Sequence, residues 1–141
     1  MATGEPKGVP FSIRLSGATE RMVEAEAKRT RRSKSAIVEQ LTEEAARVRR
    51  FPGIGFHGDD VTRVPWVIGT GLDVWEVIEM LADFGSAERL VRDTHLSAAH
   101  VRLAVAYRNE YPDEIAEALA GNRRSPEEWA SLYPFVVPGV S

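Results

Sequence analysis

Cysteine is absent from this 141-residue chain. Disulfide staples, thiolate nucleophiles and cysteine zinc sites are excluded with it. Histidine is scarce, and the three present, His57, His95 and His100, lack metal spacing. His95 and His100 stand five apart, not three or four on one helical face. No apolar run approaches the ~18–20 residues needed to span a bilayer. The opening MATGEPKGVP has no apolar stretch of the secretory-signal kind. The expectation is a cytoplasmic protein of bacterial type with no membrane association. No internal repeat or low-complexity tract is visible.

Catalytic signals are equally thin. The carboxylate pairs Asp59-Asp60 and Glu43-Glu44 have no nucleophile grouped with them and suit solvated surfaces. GIGFHG (53–58) matches the dinucleotide pattern G-x-G-x-x-G in its letters. That mechanism needs a strand before the glycines and a helix opening after them, so that pyrophosphate meets the helix dipole. Here a helical pattern precedes and DDVTRVP follows, so a loop between domains is the better reading. The chain is expected to be no enzyme, with no catalytic residues, no metal and no cofactor.

What is present is a globular composition, 43% hydrophobic and 28% charged. The length suits one ordinary domain or two very small ones. Net charge is −3, but it is unevenly spread. Residues 1–50 hold eleven Lys/Arg against seven Asp/Glu, and residues 51–141 hold seven against fourteen. A basic head and an acidic remainder point to separate partners, a polyanion for the first.

Residues 1–8 read as a flexible arm. In PFSIRLS (10–16) apolar and polar positions alternate, the pattern of one amphipathic strand. A helix is expected from about Ala18 to Thr30, capped by Ser16 or Thr19, with Met22, Val23 and three alanines as its apolar face. A second helix starts at Ser33, and Ile37, Leu41, Ala45 and Val48 form a continuous stripe along it. Arginines 47, 49 and 50 suit its C-terminal end, and FPGIG stops it. Trp66-Val67-Ile68 reads as a short buried strand. Then come a helix capped by Asp73 and Glu76 and closed by Gly85, and two helices begun by Ser86 with Arg89 and by Ser97 with Val101. The last is a short helix, PDEIAEALAGN, closed by Gly121.

One strand and two helices within about forty residues, joined by a basic turn, resemble the ribbon-helix-helix family of the Arc, MetJ and CopG repressors. The likeness covers Val9 to Arg50. It implies that two copies pair their strands antiparallel, which also answers where a lone strand's hydrogen bonds go. Phe11, Ile13, Leu15, Ile37 and Leu41 would form the dimer core. Ser12 and Arg14 would face the DNA major groove and read bases, Arg14 by a bidentate pair with guanine. Ser33 and Ser35 would clamp a phosphate through nearby amides, with Arg31, Arg32 and Lys34 adding counterion-release affinity. Two departures stand out. Pro10 occupies a position usual for a base reader, and Arg31 replaces the glycine usual in the turn, so Arg31 has to accept a strained backbone.

The segment VPWVIGTGLDVWEVI followed by LSAAHVRLAVAY looks like the small domain-of-unknown-function family 433, found in VapB-type antitoxins. This likeness covers Phe51 to Leu119 and implies a helix-turn-helix-like domain, with PIN-type ribonuclease toxins as common neighbours. Gly71 stands where that family often has Arg. His100, Arg102 and Arg108 would be exposed on segment 86–108 if it met DNA, although the acidic balance favours a protein partner. Residues 121–141 carry Trp129, Leu132, Tyr133, Phe135 and Val136, which either pack on their own domain or cover a partner.

The expected fold is therefore mostly α with a short β ribbon: a ribbon-helix-helix dimer (9–50) plus a small helix-turn-helix-like domain (51–120) carrying a short β element. The expected function is a dimeric, sequence-specific DNA-binding repressor. As an antitoxin it would control its own operon in the bacterial nucleoid and neutralise a PIN-type toxin. A stand-alone regulator or DNA-partition protein, and a protein-interaction adaptor without DNA, are the rivals.

Overall fold

A computed structural model describes residues 8–59, 62–122 and Ser131. It is mostly helical, with the strands in a small three-stranded antiparallel sheet of order β1-β2-β3. The chain divides into two compact units between Gly71 and Leu72, not after Arg50 where the resemblances change. The arm over 1–7 and the tail from residue 123 on, except Ser131, lie outside the described residues, Trp129, Tyr133 and Phe135 included.

In the N-terminal unit, residues 8–16 take no regular secondary structure in the single chain. A strand's backbone needs a partner to form a ladder, and one chain supplies none here. Helix α1, Gly17–Thr30, begins where Ser16 accepts a hydrogen bond from the Thr19 amide. Helix α2, Lys34–Arg50, begins likewise where Ser33 accepts from the Ala36 amide. The apolar faces expected for these helices are only partly used. Val23 is the one buried residue of α1 and Ile37 the one buried residue of α2.

Strands β1, Ile54–Gly58, and β2, Arg63–Val67, form an antiparallel hairpin with Gly55 opposite Trp66. Two expectations are corrected here. GIGFHG, expected as a loop, is strand from Ile54 to Gly58 with Gly53 in the turn before it, and β2 stops at Val67, leaving Ile68 half-exposed. The glycines explain the first correction. A Cβ on Gly55 would lie 2.8 Å from the Trp66 indole nitrogen, so glycine lets that ring cross its partner strand. Gly58 has φ 113° and faces the Thr62 carbonyl, which a Cβ would approach to 2.6 Å. The pattern serves pairing rather than phosphate. Phe51, Ile54 and Val67 are buried in this unit.

The C-terminal unit contains β3, Leu72–Asp73, and four helices: α3 Val74–Phe84, α4 Ala87–Asp93, α5 Ala98–Glu110 and α6 Pro112–Asn122. Helix α3 packs on the other three. Its start is the expected one, with the Asp73 amide donating to Glu76 Oε1 at 2.9 Å. It closes at Gly85 in the left-handed region, φ 83°. Ser86 caps α4. Ser97 caps α5 together with His100 rather than Val101: the Ser97 amide donates to His100 Nδ1 and the His100 amide to Ser97 Oγ, both at 3.1 Å. Gly121 lies inside α6 instead of closing it, while Pro112 opens that helix at its first position, where no amide is needed. Val74, Val77, Leu90, Ala104 and Tyr107 are fully buried. The Tyr107 hydroxyl donates to Glu114 at 3.0 Å.

Candidate nucleic-acid interface

The α1–α2 turn is built by its backbone. Arg31 caps α1 with φ 55°, ψ 36°, the left-handed conformation anticipated from the missing glycine. Among the described residues it is the one non-glycine with positive φ. The Arg32 amide reaches back to the Ala27 carbonyl at 3.0 Å, which completes the reversal. For a side-chain-bearing residue this conformation costs about 1–2 kcal/mol. The turn then delivers Ser33 as the cap of α2. It leaves the amides of Lys34 and Ser35 at the first two helical positions, where no intrahelical acceptor exists. With the positive end of the α2 dipole behind them, these are anion-seeking donors.

The cations around that turn are in different states. Arg31 is exposed, and its side chain pairs with no described residue. Lys34 Nζ lies 2.9 Å from Glu20 and 3.4 Å from Glu24, so α1 holds it in place. The hydrogen bond to Glu20 leads the causes that raise the Lys34 pKa above the usual lysine value, and the amine stays charged. Arg32 donates to the side-chain oxygen of Gln40, about two turns along α2. From there the polar contacts continue: Gln40 Nε2 donates to Glu44 at 3.1 Å, and Arg63 of β2 donates to Glu44 at 3.0 Å. Arg63 also donates to the Phe56 carbonyl at 3.2 Å. A line of hydrogen bonds thus runs from the turn to the hairpin.

That line is the feature sequence reasoning missed. Glu44 is a partner of Arg63 rather than one of two solvated carboxylates, and Glu43 pairs with Arg47 at 2.6 Å. The Gln40/Glu44 spacing of four was a readable signal. The partnership with Arg63, nineteen positions away, was not.

The second cluster of expected residues is open to solvent. Phe11 is 84% exposed, Ile13 58%, and Leu15 half-buried. Leu41 is 50% exposed, so of the five residues expected in a dimer core only Ile37 is buried within one chain. Met22 at 68% joins this exposed apolar set. Ser12 and Arg14 are exposed, and the Arg14 side chain has no hydrogen bond or ion pair with a described residue.

In the C-terminal unit, α4, the turn at 94–97 and α5 run in helix–turn–helix order. Of the three residues expected on its outer side, only Arg102 is exposed. His100 serves in the cap of α5 and Arg108 is half-buried, donating to Asn109 at 2.9 Å. Among the described residues no three His, Asp or Glu side chains gather as a metal site, and no helix is long and apolar enough to cross a membrane. Compared with family models, curated proteins and solved structures, the chain matches none.

Proposed function

We propose that the chain is a homodimeric DNA-binding regulator of the ribbon-helix-helix type, acting through residues 9–50 on DNA in the bacterial nucleoid. The observation that carries this reading is the pairing of two features in one short segment. Large apolar side chains at Phe11, Ile13, Met22 and Leu41 stand in solvent, and a cation-flanked helix N-terminus lies close in sequence. Burying each such side chain against a second copy contributes about 1.5–3 kcal/mol. A two-stranded ribbon of residues 10–15 from each chain would cover Phe11 and Ile13 and turn Ser12 and Arg14 outward. Arg31, Arg32, Lys34 and the first amides of α2 would take the flanking phosphates.

The antitoxin role, with a PIN-type toxin as partner, rests on the resemblance of residues 51–119 and on the acidic balance beyond residue 50. The test of DNA binding is a salt titration on the DNA upstream of the chain's own gene. Binding should weaken linearly on a log–log plot, with a slope set by the phosphates contacted. A salt-independent signal, or none, favours the protein-interaction adaptor. Co-purification with the product of the adjoining gene separates the antitoxin from a stand-alone regulator.

A further inference from the structure

Glu44 is a carboxylate largely withdrawn from water, its side chain 17% exposed. A group in that position needs a cation, and β2 supplies one. Arg63 Nε lies 3.3 Å from both Glu44 oxygens, and Nη2 lies 3.0 Å from Oε1. The same guanidinium donates to the Phe56 and Gly58 carbonyls at 3.2 and 3.4 Å. The backbone of β1 therefore fixes where this cation sits. The hairpin lies beyond residue 50, outside the segment assigned to DNA.

The line that starts there has a direction. A carboxylate accepts and does not donate, so Gln40 turns its Nε2 toward Glu44 and its side-chain oxygen away. That oxygen is the one that receives Arg32. Donation to a carboxylate also polarises the amide and makes its oxygen the better acceptor. Gln40 is thus a neutral spacer between an arginine and a carboxylate. Without Arg63, Glu44 would keep its charge but lose this cation, and nothing from the hairpin would hold it toward Gln40. The Gln40 amide would then be free to rotate, and Arg32 would become a candidate partner for the carboxylate itself.

We infer that Arg63 and Glu44 are positioning residues for Arg32. The hairpin orders the Arg32 guanidinium on a neutral acceptor, so that it meets a phosphate with its rotamer set and its charge uncompensated. The phosphate step rests on the reading that residues 9–50 bind DNA; the ordering step does not.

Two measurements keep those steps apart. The first is nitrogen relaxation of the Arg32 Nε–H group in the intact chain without DNA. Arg14, exposed and without a hydrogen bond to a described residue, is the internal reference for a mobile arginine. Arg32 should be ordered in the unaltered protein and as mobile as Arg14 in both Arg63→Met and Gln40→Met. Gln40→Met leaves the Glu44–Arg63 pair in place, so the result does not depend on whether Arg63→Met folds. An Arg32 that stays ordered in Gln40→Met overturns the proposal.

The second measurement is affinity for the DNA upstream of the chain's own gene, at physiological salt. Each single variant should bind about 2- to 10-fold more weakly, the ordering cost of one long side chain. The double variant should bind close to Gln40→Met alone, because the line is already cut. A cation acting only through its general field would add its full effect in the double variant, and that additive result overturns the positioning role. If the unaltered protein binds no DNA, the DNA reading fails, and the relaxation measurement still decides whether the hairpin orders Arg32.

Discussion

The two units handle their apolar residues in opposite ways. In the C-terminal unit, Val74, Val77, Leu90, Ala104, Tyr107 and Ile115 all lie at or near zero exposure. In the N-terminal unit, two long helices bury one residue each, while Phe11, Ile13, Met22 and Leu41 face water. Both units have helix caps of the same quality, so local signals do not explain the contrast. A helix hairpin preceded by an irregular segment is too small to enclose its own core. The comparison teaches that residues 9–50 leave large apolar side chains uncovered within one chain, whereas the C-terminal helices close a core.

The sharpest way to break this comparison is to damage each unit in turn. Phe11→Asp places a charge in the proposed ribbon core of both copies. Loss of a buried Phe costs about 3–5 kcal/mol, so affinity for the upstream DNA should fall by at least ~100-fold in fluorescence anisotropy. The C-terminal helices should keep their hydrogen-exchange protection. Tyr107→Ala is the mirror experiment. It removes a fully buried ring and its bond to Glu114 and should destabilise the C-terminal unit by about 3–5 kcal/mol in urea unfolding. Dimerisation through residues 9–50 should survive it.

Smaller changes sharpen the reading within the N-terminal unit. Arg14→Ala should cost about 1–3 kcal/mol on the best operator and flatten preference at one base position, measured on a mutated operator series. Arg31→Gly should do two things at once. It relieves the left-handed backbone, raising stability by about 0.5–1 kcal/mol in thermal unfolding, and it removes a cation, weakening all DNA alike. Lys34→Gln should be the mildest, lowering the salt slope by about 1 without changing sequence preference. The Lys34 contacts to Glu20 and Glu24 raise its pKa. Their small contribution is therefore complete below the usual lysine pKa and is lost as pH rises through the raised value.

Much of this was legible beforehand, for a reason visible in particular residues. Ser16, Ser33, Asp73 with Glu76, and Gly85 act within three or four positions of the backbone they satisfy, and so do their signals in the sequence. Arg31 at a glycine position announced its own conformation. The β1–β2 hairpin was not legible, because Gly55 matters only through Trp66, eleven positions on. The Arg32–Gln40–Glu44–Arg63 line failed for the same reason at its far end. The apolar stripe of α2 was read correctly as a stripe, but its neighbours were not. Only Ile37 is buried within the chain, while Leu41 stays half-exposed.

Sedimentation equilibrium of the full-length chain, free of DNA and partners, tests the incompleteness of the N-terminal unit most directly. A mass of two chains at micromolar concentration, reverting to one in Phe11→Asp, is the predicted result. A single-chain mass at every concentration would contradict it.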